Sequence, residues 1–182
     1  MRIVAGAQRG RVLVAPKGHS TRPTADRTRQ ALFNVLEHAP WGRLVLGARV
    51  IDLFAGSGAL GLEALSRGAV FCLFVENDGA AREAIAANLA ALRVTDRARV
   101  LAADAARLSQ MTDHPFDLAF LDPPYNRGLA EASLPTLAAH LAAAALVTVE
   151  RGADERPLAV NGYELLDERR WGAAKVAFLK RT

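Results

Sequence analysis

Cysteine is nearly absent. Cys72 is the single one among 182 residues, which excludes an internal disulfide and any cysteine-based zinc or iron–sulfur cluster within one chain. Histidine is scarce as well, and His19, His38, His114 and His140 show no ligand spacing, so no metal is expected. No apolar run approaches the roughly 18 residues of a transmembrane helix. The first residues, Met1-Arg2-Ile3-Val4-Ala5-Gly6, lack the apolar stretch and cleavage site of a secretory signal. What is present is 51% hydrophobic and 23% charged, which excludes wholesale disorder and suits one packed domain. The expectation is a soluble, cytosolic chain with no membrane partner, and a monomer by default.

The charge is unevenly placed. Residues 1–43 hold eight basic side chains (Arg2, Arg9, Arg11, Lys17, Arg22, Arg27, Arg29, Arg43) against Asp26 and Glu37, a net of +6. The remaining 139 residues carry a net of −2. A basic extension over 1–43 therefore precedes a nearly neutral body over 44–182, and a polyanion is the partner that this asymmetry suggests. Gly6, Gly10, Pro16, Gly18 and Pro23 lie among the charges, with Phe33 the one aromatic through residue 40. Such an arm follows a phosphate backbone more readily than it stacks on bases. A merely solvated basic face is the competing explanation.

Beyond the arm, short apolar runs alternate with longer helical ones, the pattern of an α/β fold with a mainly parallel sheet. In the arm, 2–5 and 11–14 read as short strands joined through Gly6 to Gly10, followed by a helix from about Asp26 to His38. The body reads as strand Arg49–Phe54, helix Ala59–Arg67, strand Val70–Val75, helix Asp78–Leu92, and strands Ala98–Ala102, Phe116–Leu121 and Ala145–Glu150. Pro135 is expected to break or kink the helical stretch before the last of these. Tyr163–Arg170 and Lys175–Lys180 form a closing hairpin across Trp171-Gly172-Ala173-Ala174. Seven strands result, five in β-α units and two in an antiparallel pair.

Three places carry chemistry. The first is the turn Asp52-Leu53-Phe54-Ala55-Gly56-Ser57-Gly58, where glycines let backbone N–H groups approach a ligand at a helix N-terminus. With Gly61 it also fits the dinucleotide fingerprint, and Glu76, at the end of the next strand, can accept two ribose hydroxyls. The second is Asp104 with Ala105, placed to meet an adenine amino group and ring nitrogen, although Asp104 equally suits a helix cap. The third is Asp122-Pro123-Pro124-Tyr125. Two prolines directly after a buried strand fix the backbone and remove two donors. The Asp122 carboxylate and the Pro123 carbonyl can then accept both hydrogens of an exocyclic nucleobase amine, and Tyr125 can stack on the base.

Asp52-x-x-x-Gly56-x-Gly58, Glu76, Asp104 and Asp122-Pro123-Pro124-Tyr125 resemble the ordered motifs of class I S-adenosylmethionine-dependent amino-methyltransferases. Arg2-Ile3-Val4-Ala5-Gly6, Arg9-Gly10-Arg11 and the run from Arg22 to Asn34 narrow the resemblance to the bacterial RsmD family. It covers nearly the whole chain and weakens after about residue 151; Gln30 stands where that family usually has Glu. The resemblance implies a Rossmann-like methyltransferase fold and methylation of N2 of guanine 966 in 16S rRNA, within a small-subunit ribosomal particle. It implies cofactor contacts from Asp52, Phe54, Ala55, Gly56, Ser57, Gly58, Glu76, Asn77, Asp104 and Ala105. Catalytic contacts come from Asp122, Pro123, Pro124 and Tyr125, and RNA contacts from Arg9, Arg11, Arg22 and Arg27. Alternatives from the residues alone are a nicotinamide-dependent oxidoreductase, a non-catalytic RNA-binding assembly factor, and an adenine-N6 or protein glutamine-N5 methyltransferase.

Overall fold

The computed structural model describes residues 1–16, 23–41, 44–108 and 114–182, with the backbone alone for 23–26. Arg22 lies outside the described residues. Seven strands form one sheet: β1 (Arg49–Leu53), β2 (Phe71–Val75), β3 (Ala98–Leu101), β4 (Phe116–Leu121), β5 (Leu141–Gly152), β6 (Tyr163–Trp171) and β7 (Ala174–Arg181). Their order is β3-β2-β1-β4-β5-β7-β6. The first five run parallel, and β7 is antiparallel to both β5 and β6. Chain order reverses between β1 and β4, the switch point outside which open α/β sheets bind ligands.

The four helices are α1 (Pro23–His38), α2 (Ala59–Ser66), α3 (Gly79–Leu92) and α4 (Leu129–Leu137). Helix α1 starts at Pro23, three residues before the expected Asp26, because a proline in the first turn lacks only an N–H that would have no helical partner. Pro135 does not end α4, which runs two residues further and tightens into a 3-10 turn over Ala138–His140. Alternation along the strands splits the core in two. Val50, Leu118, Phe120 and Leu146 pack with α1, α2 and α3, whereas Ile51, Ala119, Leu121, Val147 and Val149 pack with α4.

The arm departs from the two expected strands. A single antiparallel bridge, Arg2 with Val12, stands in their place, with the Ile3, Gly10 and Leu13 N–H groups bonded across to the carbonyls of Arg11, Ile3 and Met1, while other backbone N–H groups of the segment turn to the body. The fully buried Glu63 accepts from the N–H groups of Val4 (2.8 Å) and Ala5 (2.9 Å). Ser66 receives the N–H groups of Ala7 on its carbonyl and Gln8 on its hydroxyl. Asn88 of α3 accepts from the Val14 N–H and donates to the Val14 carbonyl. Gly6 is required at the crossing, since a Cβ there would lie 1.9 Å from the Ser66 carbonyl oxygen. Ile3 and Leu13 complete the attachment in the same core as Leu32, Phe33 and Leu36 of α1.

Gly61 is also explained by packing. A Cβ on it would fall 2.4 Å from the Phe74 ring and 2.5 Å from the Cys72 sulfur, so α2 lies directly on β2. Cys72 is buried at that contact, and burial pushes its thiol well above the usual value. It behaves as a small hydrophobe.

Candidate active site

Strand register brings three carboxylates together. Leu53 pairs with Leu121, and Leu121 with Val149, so Asp122 and Glu150 each stand one residue past the paired ends of adjacent parallel strands. Alternation puts Asp52, Asp122 and Glu150 on the face that Val50, Phe120 and Leu146 share. All three line one cleft of about 340 Å³ at the C-terminal edge of the sheet, within the range of small-ligand sites. Phe54, Ala55, Gly56 and Ser57 supply one wall, and Tyr125 another. Met1, Thr28, Arg29 and Leu32 close it from the arm and α1, and Trp171 and Ala174 from the closing hairpin.

The turn after β1 is tightly specified. Phe54 (φ 60°), Gly56 (φ 54°) and Gly58 (φ 78°) all take left-handed backbone. For Phe54 that conformation costs about 1–3 kcal/mol, and such strain gathers at functional sites. Asp52 accepts the Gly61 N–H at 2.9 Å, tying the strand to the first turn of α2. Glu76 receives the N–H of Gly56 on one carboxylate oxygen and that of Asp78 on the other, each at 2.8 Å. Glu76 therefore holds the glycine turn in shape while its remaining lone pairs stay available to a ligand.

Asp122-Pro123-Pro124-Tyr125 is held by two acids that follow it in the chain. The Tyr125 hydroxyl donates to Glu150 at 2.7 Å. Glu155 accepts the N–H groups of Asn126 (2.8 Å) and Gly152 (3.1 Å), with Asn126 left-handed at φ 59°. Arg29 donates to the Arg2 carbonyl and lies 3.5 Å from Glu63, so the cleft wall and the arm share one buried cation. Glu150, Glu155 and Arg29 were not among the residues singled out from sequence. Glu150 alone carried a readable signal, as the last residue of an expected strand at the same sheet edge as Asp122.

Gly58, Glu76, Pro123, Pro124 and the remaining sequence candidates are not in the lining of this cleft; Pro123 and Pro124 line a neighbouring pocket together with Tyr125 and Glu150. Asp104 is exposed, accepts the Ala106 N–H at 2.9 Å and sits 3.9 Å from Arg107, in a local turn over 105–107 rather than at the head of a helix. Ala105 is buried, and the exposed Asn77 gives its carbonyl to Arg82. Both segments follow the ends of β2 and β3, next to the glycine turn through the Glu76 N–H to Leu101 carbonyl bond. Arg9, Arg11 and Arg27 are exposed.

Burial pushes the Asp52 carboxyl up to about 8; the Gly61 N–H opposes this and the Glu76 charge reinforces it. Asp122 keeps contact with water in the cleft, yet the protein around it, then Glu150 and Asp52, lift its carboxyl well above the ordinary value. Glu150 is raised by burial against the opposing Tyr125 hydroxyl. Because these folded-state values are raised, the folded chain holds protons that the unfolded chain has released. For Asp52 that stabilisation is complete below about 3.8 and is lost as pH rises toward about 8. Urea midpoints should be higher at pH 5.5 than at pH 8, and Asp52→Asn should narrow the gap. An equal gap in both proteins would show that Asp52 ionises normally.

A model of the family described as Conserved hypothetical protein 95 matches residues 1–180. Ribosomal RNA small subunit methyltransferase D of Escherichia coli K12 is 42% identical over 152 residues, which cover 82% of this chain and 74% of that protein. Its namesake from Haemophilus influenzae is 36% identical over 178 residues, covering 94% and 89%. Among solved structures, Escherichia coli yhhF superposes with a TM-score of 0.83 at 38% identity, over 100% of this chain and 97% of that one. The ribosomal protein L11 methylase of Lactobacillus delbrueckii subsp. bulgaricus has a TM-score of 0.74 at 19% identity, over 96% and 88%, a likeness of fold alone.

Proposed function

The chain belongs to the family described as Conserved hypothetical protein 95, the RsmD family of S-adenosylmethionine-dependent methyltransferases, and we propose that it methylates the exocyclic N2 amine of a guanine in 16S rRNA. Guanine 966 is the position we assign. The observation that carries the reading is the shared cleft, which Asp122 and Tyr125 of the Asp-Pro-Pro-Tyr loop line together with Phe54 and Gly56 of the left-handed turn. An oxidoreductase would need no amine-holding loop opposite that turn.

The donor set fits S-adenosylmethionine, because three acids around one cleft, held protonated by burial and by one another, can release protons when a ligand brings a sulfonium and an ammonium. When bound, it supplies a methyl group on a sulfonium, an electrophile with its leaving group built in. The Asp52–Gly58 turn holds the methionine part, Glu76 and Asn77 the ribose side, and Asp104 with Ala105 the adenine. The Asp122 carboxyl and the Pro123 carbonyl accept the two N2 hydrogens and draw the nitrogen toward tetrahedral geometry, which aims its lone pair. As N2 gains its bond to carbon it becomes acidic and gives up one proton, to Asp122 or to cleft water. Tyr125 stacks on the base.

On this reading the partner is rRNA in a small-subunit particle, met in the cytoplasm by a monomer whose basic arm borders the cleft. Among the described residues no helix is long and apolar enough to cross a membrane. Purified protein incubated with S-adenosylmethionine and unmodified small-subunit particles should yield N2-methylguanosine at that position by mass mapping. N6-methyladenosine, or methylated protein glutamine, would replace the reading with the corresponding alternative.

The cofactor half is tested at Glu76. Glu76→Ala should weaken S-adenosylmethionine binding by about 1.5–3 kcal/mol, the scale of hydrogen bonds to a charged group. Part of the loss comes from releasing the Gly56 and Asp78 N–H groups. Calorimetry that finds unchanged affinity would remove Glu76 from the pocket.

A further inference from the structure

We propose that Glu150 is the residue by which this active site selects guanine, accepting the N1–H of the target base beside the amine that is methylated. The inference rests on the guanine-N2 reading above and adds a specificity contact to it. A guanine entering the cleft presents two adjacent donors on its pairing edge, the N2 amine and N1–H. Asp122 and the Pro123 carbonyl are both engaged by the two N2 hydrogens. N1–H then needs its own acceptor, because a buried donor left unpaired loses its hydrogen bond to water without a replacement.

Glu150 is the acceptor in reach. It stands beside Asp122 at the ends of adjacent in-register strands, projects to the same face and lines the same cleft. The Tyr125 hydroxyl fixes its orientation by donating to Oε1 at 2.7 Å. Among the described residues Oε2 accepts no hydrogen bond, and so it is left for a ligand. The residue that stacks on the base thus also aims the carboxylate at the base's edge. An adenine in the same place would put an unprotonated N1, an acceptor, against this acid. The pair of acids therefore matches donor–donor edges and rejects donor–acceptor ones.

The test uses the whole protein and an rRNA substrate carrying either guanine or 2-aminopurine at the target position. 2-Aminopurine keeps the reactive N2 amine but has an acceptor at N1. The wild type should favour guanine by about 100-fold in kcat/KM, the upper end of what one buried, unsatisfied hydrogen-bonding group costs. Glu150→Gln keeps its oxygen on the Tyr125 hydroxyl and turns an amide N–H toward the base. Its guanine to 2-aminopurine ratio should fall by about 100-fold, with 2-aminopurine methylation rising rather than merely guanine methylation declining. A merely structural Glu150 would slow both substrates alike. If the wild type forms N2-methylguanine and the variant leaves the ratio unchanged, Glu150 does not read N1 and the guanine-N2 reading survives. If the wild type forms no N2-methylguanine, that reading fails and this inference fails with it.

Discussion

Asp122→Ala should lower turnover by roughly 10²- to 10³-fold, while S-adenosylmethionine binds nearly as before. The magnitude reflects loss of an oriented acceptor and proton sink at the reacting nitrogen, for which misplacement by about 1 Å is worth 10²-fold. The asymmetry follows from placement. Asp122 sits past the end of β4 beside Glu150, whereas the glycine turn, to which we assign the cofactor's methionine part, is fixed by Asp52 and Glu76 through Gly61 and Gly56. Single-turnover methylation and calorimetry on the same variant separate the two. Preserved methylation with weakened cofactor binding would move Asp122 into the cofactor site. Asp122→Ala also removes one of three mutually repelling acids, so the variant should be no less stable than the wild type to heat. A large loss of stability would mean that slow turnover reports unfolding.

Neutralising the arm should act on RNA and leave the chemistry alone. Replacing Arg9, Arg11, Arg22 and Arg27 together by Gln should flatten the dependence of log affinity on log salt by about 0.7–0.9 for each phosphate left without its cation, about 3 for all four. The base methylated and the affinity for S-adenosylmethionine should not change. Arg9, Arg11 and Arg27 are exposed, and Thr28 and Arg29, which follow Arg27, line the cleft. If these side chains were only a solvated face, slope and affinity would match the wild type, and the RNA would be held elsewhere. Arg29 is left out of the set because it is buried and paired with Glu63.

The parallel strands were legible because each is a largely apolar run with a glycine or an acid at or just past its end, and the last two because Gly172 marks the turn between them. Asp52, Glu76 and Asp122 could be placed because each stands near the end of, or directly past, a buried strand at the same end of a parallel sheet. The arm was harder. Its apolar residues alternate like a hairpin's, but the partners that take its hydrogen bonds, Glu63, Ser66 and Asn88, lie some 58 to 74 positions away in α2 and α3, and no local pattern points to them. Glu150 and Glu155 were missed for a similar reason. Their importance depends on what Tyr125 and Asn126 need across the sheet. Tyr125 itself was read as a stacking ring, and its hydroxyl partner makes Tyr125→Phe a change to Glu150 as well.

The way the arm is pinned bears on how such a protein can be built or rebuilt. The carboxylate of Glu63 has two backbone N–H groups of the arm as partners, with Arg67 and Arg29 completing its surroundings. Excising residues 1–16 would strip both backbone donors from a fully buried charge and uncover the leucines that Ile3 and Leu13 cover, so a truncation intended to silence RNA binding would report collapse of the body. The basic arm is thus not a detachable cassette. Grafting it onto another methyltransferase would require transplanting Glu63, Ser66 and Asn88 along with it, and removing it cleanly would require redesigning those same three positions.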